Sequence, residues 1–466
     1  MGKNTQRRRA AKQRTRRQRG PTAARDSNRA PDPAGFSSRF GPGPDKQRRD
    51  AAARTLQQLL QAAAALPPSS LTLVVEDELV NQDVASRDLM DELASMRVRQ
   101  ALVAAWEHGW QPLDLVHVVR RSRSRLVPLL GAAIAAQARS VQAEQIVPQA
   151  WLDQLGAVAD EALAAAPNGS ADWLVRSVTG QGVRLIDVWT DLVQLLEMLT
   201  TLPVLEQLVP PPSAWGRPTA SSRPDDDASE RGRLLNRIRT LLAKAENTEF
   251  AAEAETFTAK AQDLMTRHAI DAALLHESAD HPIDVRGARV HINNPYAAEK
   301  VHLLNQVARA NRSRAVWNSS LGLATVIGTP TDVDQVEMLF TSLLIQATRA
   351  MVEAGTRRAG AGLQGRTTPL EPPAFQRSAS FRRSFLMSYA LRIGERLNQA
   401  NDAATASYGS ALVPLLQRQT SAVQAEFDRL FPHTREGRAG RYNMLGWDAG
   451  RAAADRAVFA AGRLTA

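Results

Sequence analysis

The chain has 466 residues, 44% hydrophobic and 23% charged, with 58 Lys+Arg against 48 Asp+Glu and a formal net charge of +10. That length exceeds what one ordinary hydrophobic core serves, so two or three domains are expected. With no cysteine, disulfides, thiolate nucleophiles and Cys-ligated metal centres are excluded, and no uninterrupted apolar run reaches the roughly 18 residues a bilayer span needs.

Charge is unevenly placed along the chain. Residues 1–20 hold nine basic side chains (Lys3, Arg7, Arg8, Arg9, Lys12, Arg14, Arg16, Arg17 and Arg19) and no acidic one, and residues 21–50 add six basic and four acidic. The first fifty residues therefore carry more than the whole net charge, and the pI near 10.5 describes a tail more than a folded surface. Only six of the 58 basic residues are lysine, a bias that a GC-rich genome explains as well as a need for guanidinium chemistry does. After the basic run comes PTAARDSNRAPDPAG, polar and Pro/Gly-rich where a secretory signal would be apolar. The expectation is a retained arm and a cytoplasmic protein.

In chain order, residues 1–48 read as a disordered basic arm, because their composition cannot offset the entropy of ordering. Helical spacing starts with Leu56, Leu59, Leu60, Ala63 and Ala64. LTLVV (71–75) reads as a short strand, and helical patterning then runs through Leu89, Leu93, Met96, Val98, Leu102, Trp106 and Trp110 to close a helical domain at 49–208. The segment 209–228 is a Pro/Ser-rich linker ending in Asp225, Asp226 and Asp227, acidic residues where a helix start favours them.

A helical hairpin is expected over 229–277. Leu234, Leu235, Ile238, Leu241, Leu242 and Ala245 form one stripe, Asn247 or Thr248 caps the next helix, and Ala254, Phe257, Ala261, Leu264 and Met265 form the second. A small α+β unit follows at 278–353, with alternation over Val285–Ile292, a helix from about Tyr296 to Ala310, and strands at Ala315–Trp317 and Leu323–Ile327 joined through NSSLG. Gly328–Asp332 turns into a long helix ending near Glu353, and 354–376 reads as a loop. The C-terminal helical region, 377–466, holds helices at 378–402, 418–430 and about Tyr442–Ala461. The fold class expected is mainly α: a helical N-terminal domain plus an α+β C-terminal unit with a small antiparallel sheet, behind the disordered arm.

The hairpin RLLNRIRTLLAKAENTEFAAEAETFTAKAQDLMTRHAI (233–270) resembles the defining module of the domain-of-unknown-function family 2786, of actinobacterial and phage or plasmid type. The resemblance rests on Ile238, Leu241, Leu242, Ala243 and Ala245 in the first helix. In the second it rests on Glu253, Ala254, Glu255, Ala259, Lys260, Ala261, Gln262, Leu264, Met265 and His268. LFTSLLIQATRAM (339–351), FRRSFLMSYALRIGERL (381–397), LGWDAGRAAADRA (445–457) and AAWEHGWQPLDLVHVVRR (104–121) look like parts of longer members. The resemblance implies an architecture and no established activity.

Several constellations invite chemistry and have plainer readings. His276 and His281, five apart around Glu277, miss the four-residue spacing of an H-E-x-x-H zinc helix, and Pro282 ends the helix at once. No metal site or cofactor is expected. Glu253, Lys260 and His268 are the weak catalytic candidates, against a solvated hairpin edge and a histidine near a helix C-terminus. Asp448 and Asp455 could present two carboxylates but alternate with Arg451 and Arg456 as a charge ladder would. GTPTD (328–332) fits a turn and cap better than an anion cradle. Phe381, Arg382, Arg383, Phe385, Ser388, Tyr389 and Arg392 interleave aromatic and basic groups, which suits nucleic-acid stacking or, more simply, a core face with arginines outside. Trp106 and Trp110 fit a core.

The reading that follows is a non-enzymatic protein touching DNA or RNA without sequence preference through its basic arm. Two alternatives stay open: an enzyme of unknown reaction with its site at the hairpin/sheet junction, and a protein-interaction scaffold. No membrane partner is expected.

Overall fold

The computed structural model describes residues 44–140, 147–163, 184–215, 238, 240, 264, 265, 283–360, 378–408, 413–435 and 443–457. The chain divides into two compact units, Met1–Ala51 and Ala52–Ala466. The described part of the first is residues 44–51, which are helical and open α1 (Pro44–Ala65). Residues 44–48 are thus helix where the sequence suggested the end of a disordered arm.

Within the second unit, α1 buries Leu56, Leu59 and Ala63, the periodic face expected of it. The segment 71–75 is not a strand but part of α2 (Pro68–Val80), which starts with proline at its first position, where a missing N–H costs nothing. Leu71, Val75 and Leu79 are buried at helical spacing, while Leu73, which a strand would bury beside Leu71 and Val75, is 67% exposed. The four-residue period won over the β-rich composition because these three side chains had a helical core to join.

Helix α3 (Val84–Glu107) is capped by Asp83, whose carboxylate accepts from Ser86 N at 2.7 Å. Then come α4 (Pro112–Arg123), a 3-10 turn at Ser124–Leu126, α5 (Val127–Ser140), α6 (Gln149–Leu163) and α7 (Leu185–Thr200). Their buried faces form one core with Trp106, Trp110, Trp151 and Trp189, Trp106 meeting Trp151 edge-on at 5.2 Å. Trp110 is buried as expected, and its indole N–H donates to Pro203 O at 2.7 Å.

The α+β part centres on β1 (Arg286–His291), β2 (Arg314–Asn318) and β3 (Leu323–Gly328), antiparallel in the order β1-β3-β2. The expected strands are in place, and β3, the central one, is buried along its length. Directly paired residues share a face in such a ladder, so the register sorts the side chains into two sets. Ala288, Val290, Ala315, Trp317, Ala324 and Val326 face α8 (Ala297–Ala310) and α9 (Pro330–Gly360) in a second core. The opposite face carries Arg289, His291, Val316, Leu323, Thr325 and Ile327. Its Leu323 joins the tryptophan core, while Val316 and Ile327 pack with Val423 and Phe427 of α11 (Val413–Leu430).

Helix α9 runs seven residues beyond the expected end at Glu353, into the segment expected to be a loop. Its start is capped as the turn motif suggested: Asp332 N donates to Thr329 Oγ1 at 3.3 Å, and Thr329 Oγ1 donates to Asp332 Oδ2 at 2.8 Å. Helix α10 (Ala379–Tyr408) is crossed by α12 (Met444–Arg456), whose Gly446 and Gly450 lie against the backbone of Phe381 and Phe385. Among the described residues no helix is long and apolar enough to cross a membrane.

Candidate functional site

The densest meeting of titratable side chains among these elements joins α4 to strand β1. Gln111 and Asp114 form a capping box at the start of α4, which fixes Asp114 at the third helical position with its side chain turned back to the helix start. One turn on lies His117, and Arg121 follows at the next turn of the same face. From the sheet, Arg289 and His291 alternate outward on one face of β1. Asp114 and Arg289 are 2% and 3% exposed.

Arg289 acts as a fork. Its Nη1 donates to Asp114 Oδ2 at 2.7 Å and to Gly109 O at 2.8 Å, and Nη2 donates to Glu206 O at 2.8 Å. The carboxylate also accepts from Gln111 N at 3.2 Å and lies 2.9 Å from His291 Nε2 through Oδ1. An ionised carboxylate can only accept, so His291 Nε2 is the donor in this contact. Satisfied on every side, this buried pair avoids the several kcal/mol that an unpaired buried charge costs.

His291 stacks on His117, ring centroids 4.9 Å apart and planes 24° from parallel. Burial, with the neighbouring His291 and the Arg121 guanidinium behind it, pulls the His117 imidazole down to about 4 from an ordinary 6.5. Asp114 and the Gly322 backbone pull the other way and lose. At neutral pH His117 is therefore uncharged. Gly322, in the β2–β3 turn, has a φ of +70°, and a Cβ there would stand 3.0 Å from His117 Nε2 and closer still to Arg121. Glycine is required at that point by both backbone and space. Arg121 reaches the same turn, donating to Ser319 O at 3.3 Å. The arrangement orients the His291 ring against Asp114, keeps His117 neutral and ties α4 to the sheet. Among the described residues no group of three or more histidine or carboxylate side chains could hold a metal ion.

The residues singled out from the sequence fall elsewhere. Glu253, Lys260 and His268, the His276–His281 segment and the nine basic residues of the arm lie outside the described residues. Asp448 is exposed, and Asp455 pairs with Arg392 of α10 while Arg451 reaches Glu395 at 3.2 Å, so the two carboxylates form no joint site. Phe381, Phe385 and Tyr389 are a buried, near-stacked row facing the second core, with Ser388 buried between α10 and α12 and donating to Trp447 O at 2.7 Å. The core reading of that segment holds. Burial also pushes the Tyr389 hydroxyl far above its ordinary value.

Asp114, His117, Arg289 and His291 were not found from the sequence. The signals were Asp-x-x-His with an arginine four residues on, and Arg-x-His on an alternating strand. Each is common, and only the fold brings the two together across 175 residues.

Of the hairpin resembling family 2786, Ile238 and Met265 are buried and pack with Leu264 and with Met338 of α9. Gln335 of α9 donates to Met265 O at 2.8 Å. No curated protein and no solved structure matches the chain. The family described as "Protein of unknown function (DUF2786)" matches residues 233–272, a small part of the chain, and over that segment the chain carries the DUF2786 module.

Proposed function

We propose that this protein associates with nucleic acid without sequence preference, through the basic side chains of its first twenty residues, and that it does so in the cytoplasm as a binding protein. The observation that carries this reading is charge segregation: nine cations and no anion in residues 1–20, against a remainder close to balance. Such a segment displaces condensed counterions from a phosphate backbone, which gives affinity that depends on salt and not on base sequence.

The test is fluorescence anisotropy with a short labelled duplex DNA, using the full chain and a variant in which the nine basic residues are replaced by glutamine. Each phosphate contact adds about 0.9 to the slope of log K against log salt. The full chain is expected to bind with a steep slope, and the neutralised chain to lose most of both affinity and slope. Equal affinity in the two proteins would sink the reading.

A further inference from the structure

The folded body carries a second concentration of positive charge, at the end of α4. Arg120, Arg121, Arg123 and Arg125 occupy four of six consecutive positions, with Ser122 and Ser124 exposed between them. The chain turns here, since Arg123 leaves the helix at φ −150° and ψ 76° before the 3-10 turn begins. Arg125 therefore lies in the turn beyond the helix that carries Arg120, Arg121 and Arg123.

Two explanations compete for so many cations. A helix C-terminus favours positive side chains, by about 0.3–1 kcal/mol each within the last turn, which accounts for Arg120, Arg121 and Arg123 but not for Arg125 in the turn beyond. Against it, like charges roughly 8 Å apart in water repel by about 0.5 kcal/mol per pair. Among the described residues Asp191 of α7 is the one carboxylate paired with Arg121, Arg123 or Arg125, and it takes Arg125, whose side chain stays 59% exposed. Arg121 spends one N–H on the Ser319 carbonyl, but Arg121 and Arg125 are exposed and Arg123 is half-buried. The guanidinium groups thus keep donors in hand, and planar forks of this kind match phosphate oxygens.

We infer that Arg121, Arg123 and Arg125 form a docking surface for the phosphate backbone of nucleic acid, built into the folded body and distinct from the arm. The inference rests on the nucleic-acid reading above and assigns the body its own contact. The arm gathers the polyanion, and the corner between α4 and α5 sets where it lies against the body.

Duplex DNA is again the probe, and the full chain with its nine arm residues changed to glutamine is the starting protein, so the arm reading and the patch are scored separately. That chain is expected to keep weak, salt-dependent binding at low salt. Adding R121Q, R123Q and R125Q should weaken it about tenfold or more and lower the salt slope by about two to three, while lysine at the same positions restores most of the slope. Ser122→Glu with Ser124→Glu, which leaves every arginine in place, should weaken binding in the same direction and covers the case in which circular dichroism shows the triple glutamine variant unfolded. No binding by the arm-neutralised chain, or binding indifferent to both sets of folded variants, overturns the patch and leaves the arm reading intact. Failure of the arm reading shows separately, as unchanged affinity when the arm alone is neutralised.

Discussion

His117 shows what a single residue contributes when its neighbours choose its protonation state. In the unfolded chain it titrates near 6.5 and in the fold near 4. Between those values the unfolded state holds more protons, so stability is complete above about pH 6.5 and falls as pH drops toward 4. At about 1.4 kcal/mol per unit, and allowing for partial solvent screening, the loss is on the order of 2 kcal/mol. Urea denaturation of the wild type and of His117→Leu at several pH values is the measurement. The wild type is expected to lose stability over this window relative to the variant, and parallel curves would show that the imidazole is not the cause. The same residue explains why the cluster was hidden. In the sequence His117 sits in LDLVHVVRR, where a histidine reads as one more partly apolar position of an amphipathic helix, and its stacking partner lies on another element.

Among the elements, the crossing of α10 and α12 turns on the spacing of two glycines. Gly446 and Gly450 let α12 lie against the backbone of Phe381 and Phe385, and Ser384 and Ser388 of α10 seal the contact, Ser384 Oγ accepting from Asn443 N at 2.6 Å and Ser388 Oγ donating to Trp447 O at 2.7 Å. A Cβ at Gly450 would stand 2.8 Å from the Phe385 carbonyl carbon, and backbone cannot rotate away as a side chain can. Gly450→Ala is expected to cost about 2–3 kcal/mol through forced separation of the helices. Gly156→Ala, in the exposed middle of α6 with nothing within 4 Å of the added methyl, is expected to stabilise by roughly 0.5–1 kcal/mol. Thermal melts of the two variants check the pair, and equal effects would refute the packing argument. Most elements could be read from apolar period: α1, α3, the three strands and α8 lie close to where spacing put them. At 71–75 residue type favours a strand while Leu71, Val75 and Leu79 at four-residue spacing mark a helix, and the period prevails. The glycine spacing in LGWDAGRAAADRA was present too, but small residues announce a close crossing only once a second helix is opposite them.

For the molecule as a whole, the question is what joins the tryptophan core to the sheet core. Leu323 belongs to the first and its strand neighbours Ala324 and Val326 to the second, so β3 is shared. Across that seam Arg289 binds Asp114 and two backbone carbonyls that close the α3–α4 connection and the segment after α7. Removing it strands a buried carboxylate and leaves both carbonyls without a donor. Breaking one partner of a buried pair costs about 3–5 kcal/mol, a large share of the roughly 5–15 kcal/mol that holds a typical domain folded. Because the lost contacts bridge two cores, the damage should also reach cooperativity. In the wild type, tryptophan fluorescence, to which Trp106, Trp110, Trp151 and Trp189 of the first core and Trp317 of the second contribute, and far-ultraviolet circular dichroism of all the helices are expected to change together on denaturant unfolding, as one transition. In Arg289→Met both midpoints are expected to fall, and the two probes to separate as each core unfolds on its own stability. A loss under about 1 kcal/mol with probes still coincident would mean that Leu323 and its apolar neighbours carry the seam and that the ion pair only fills it.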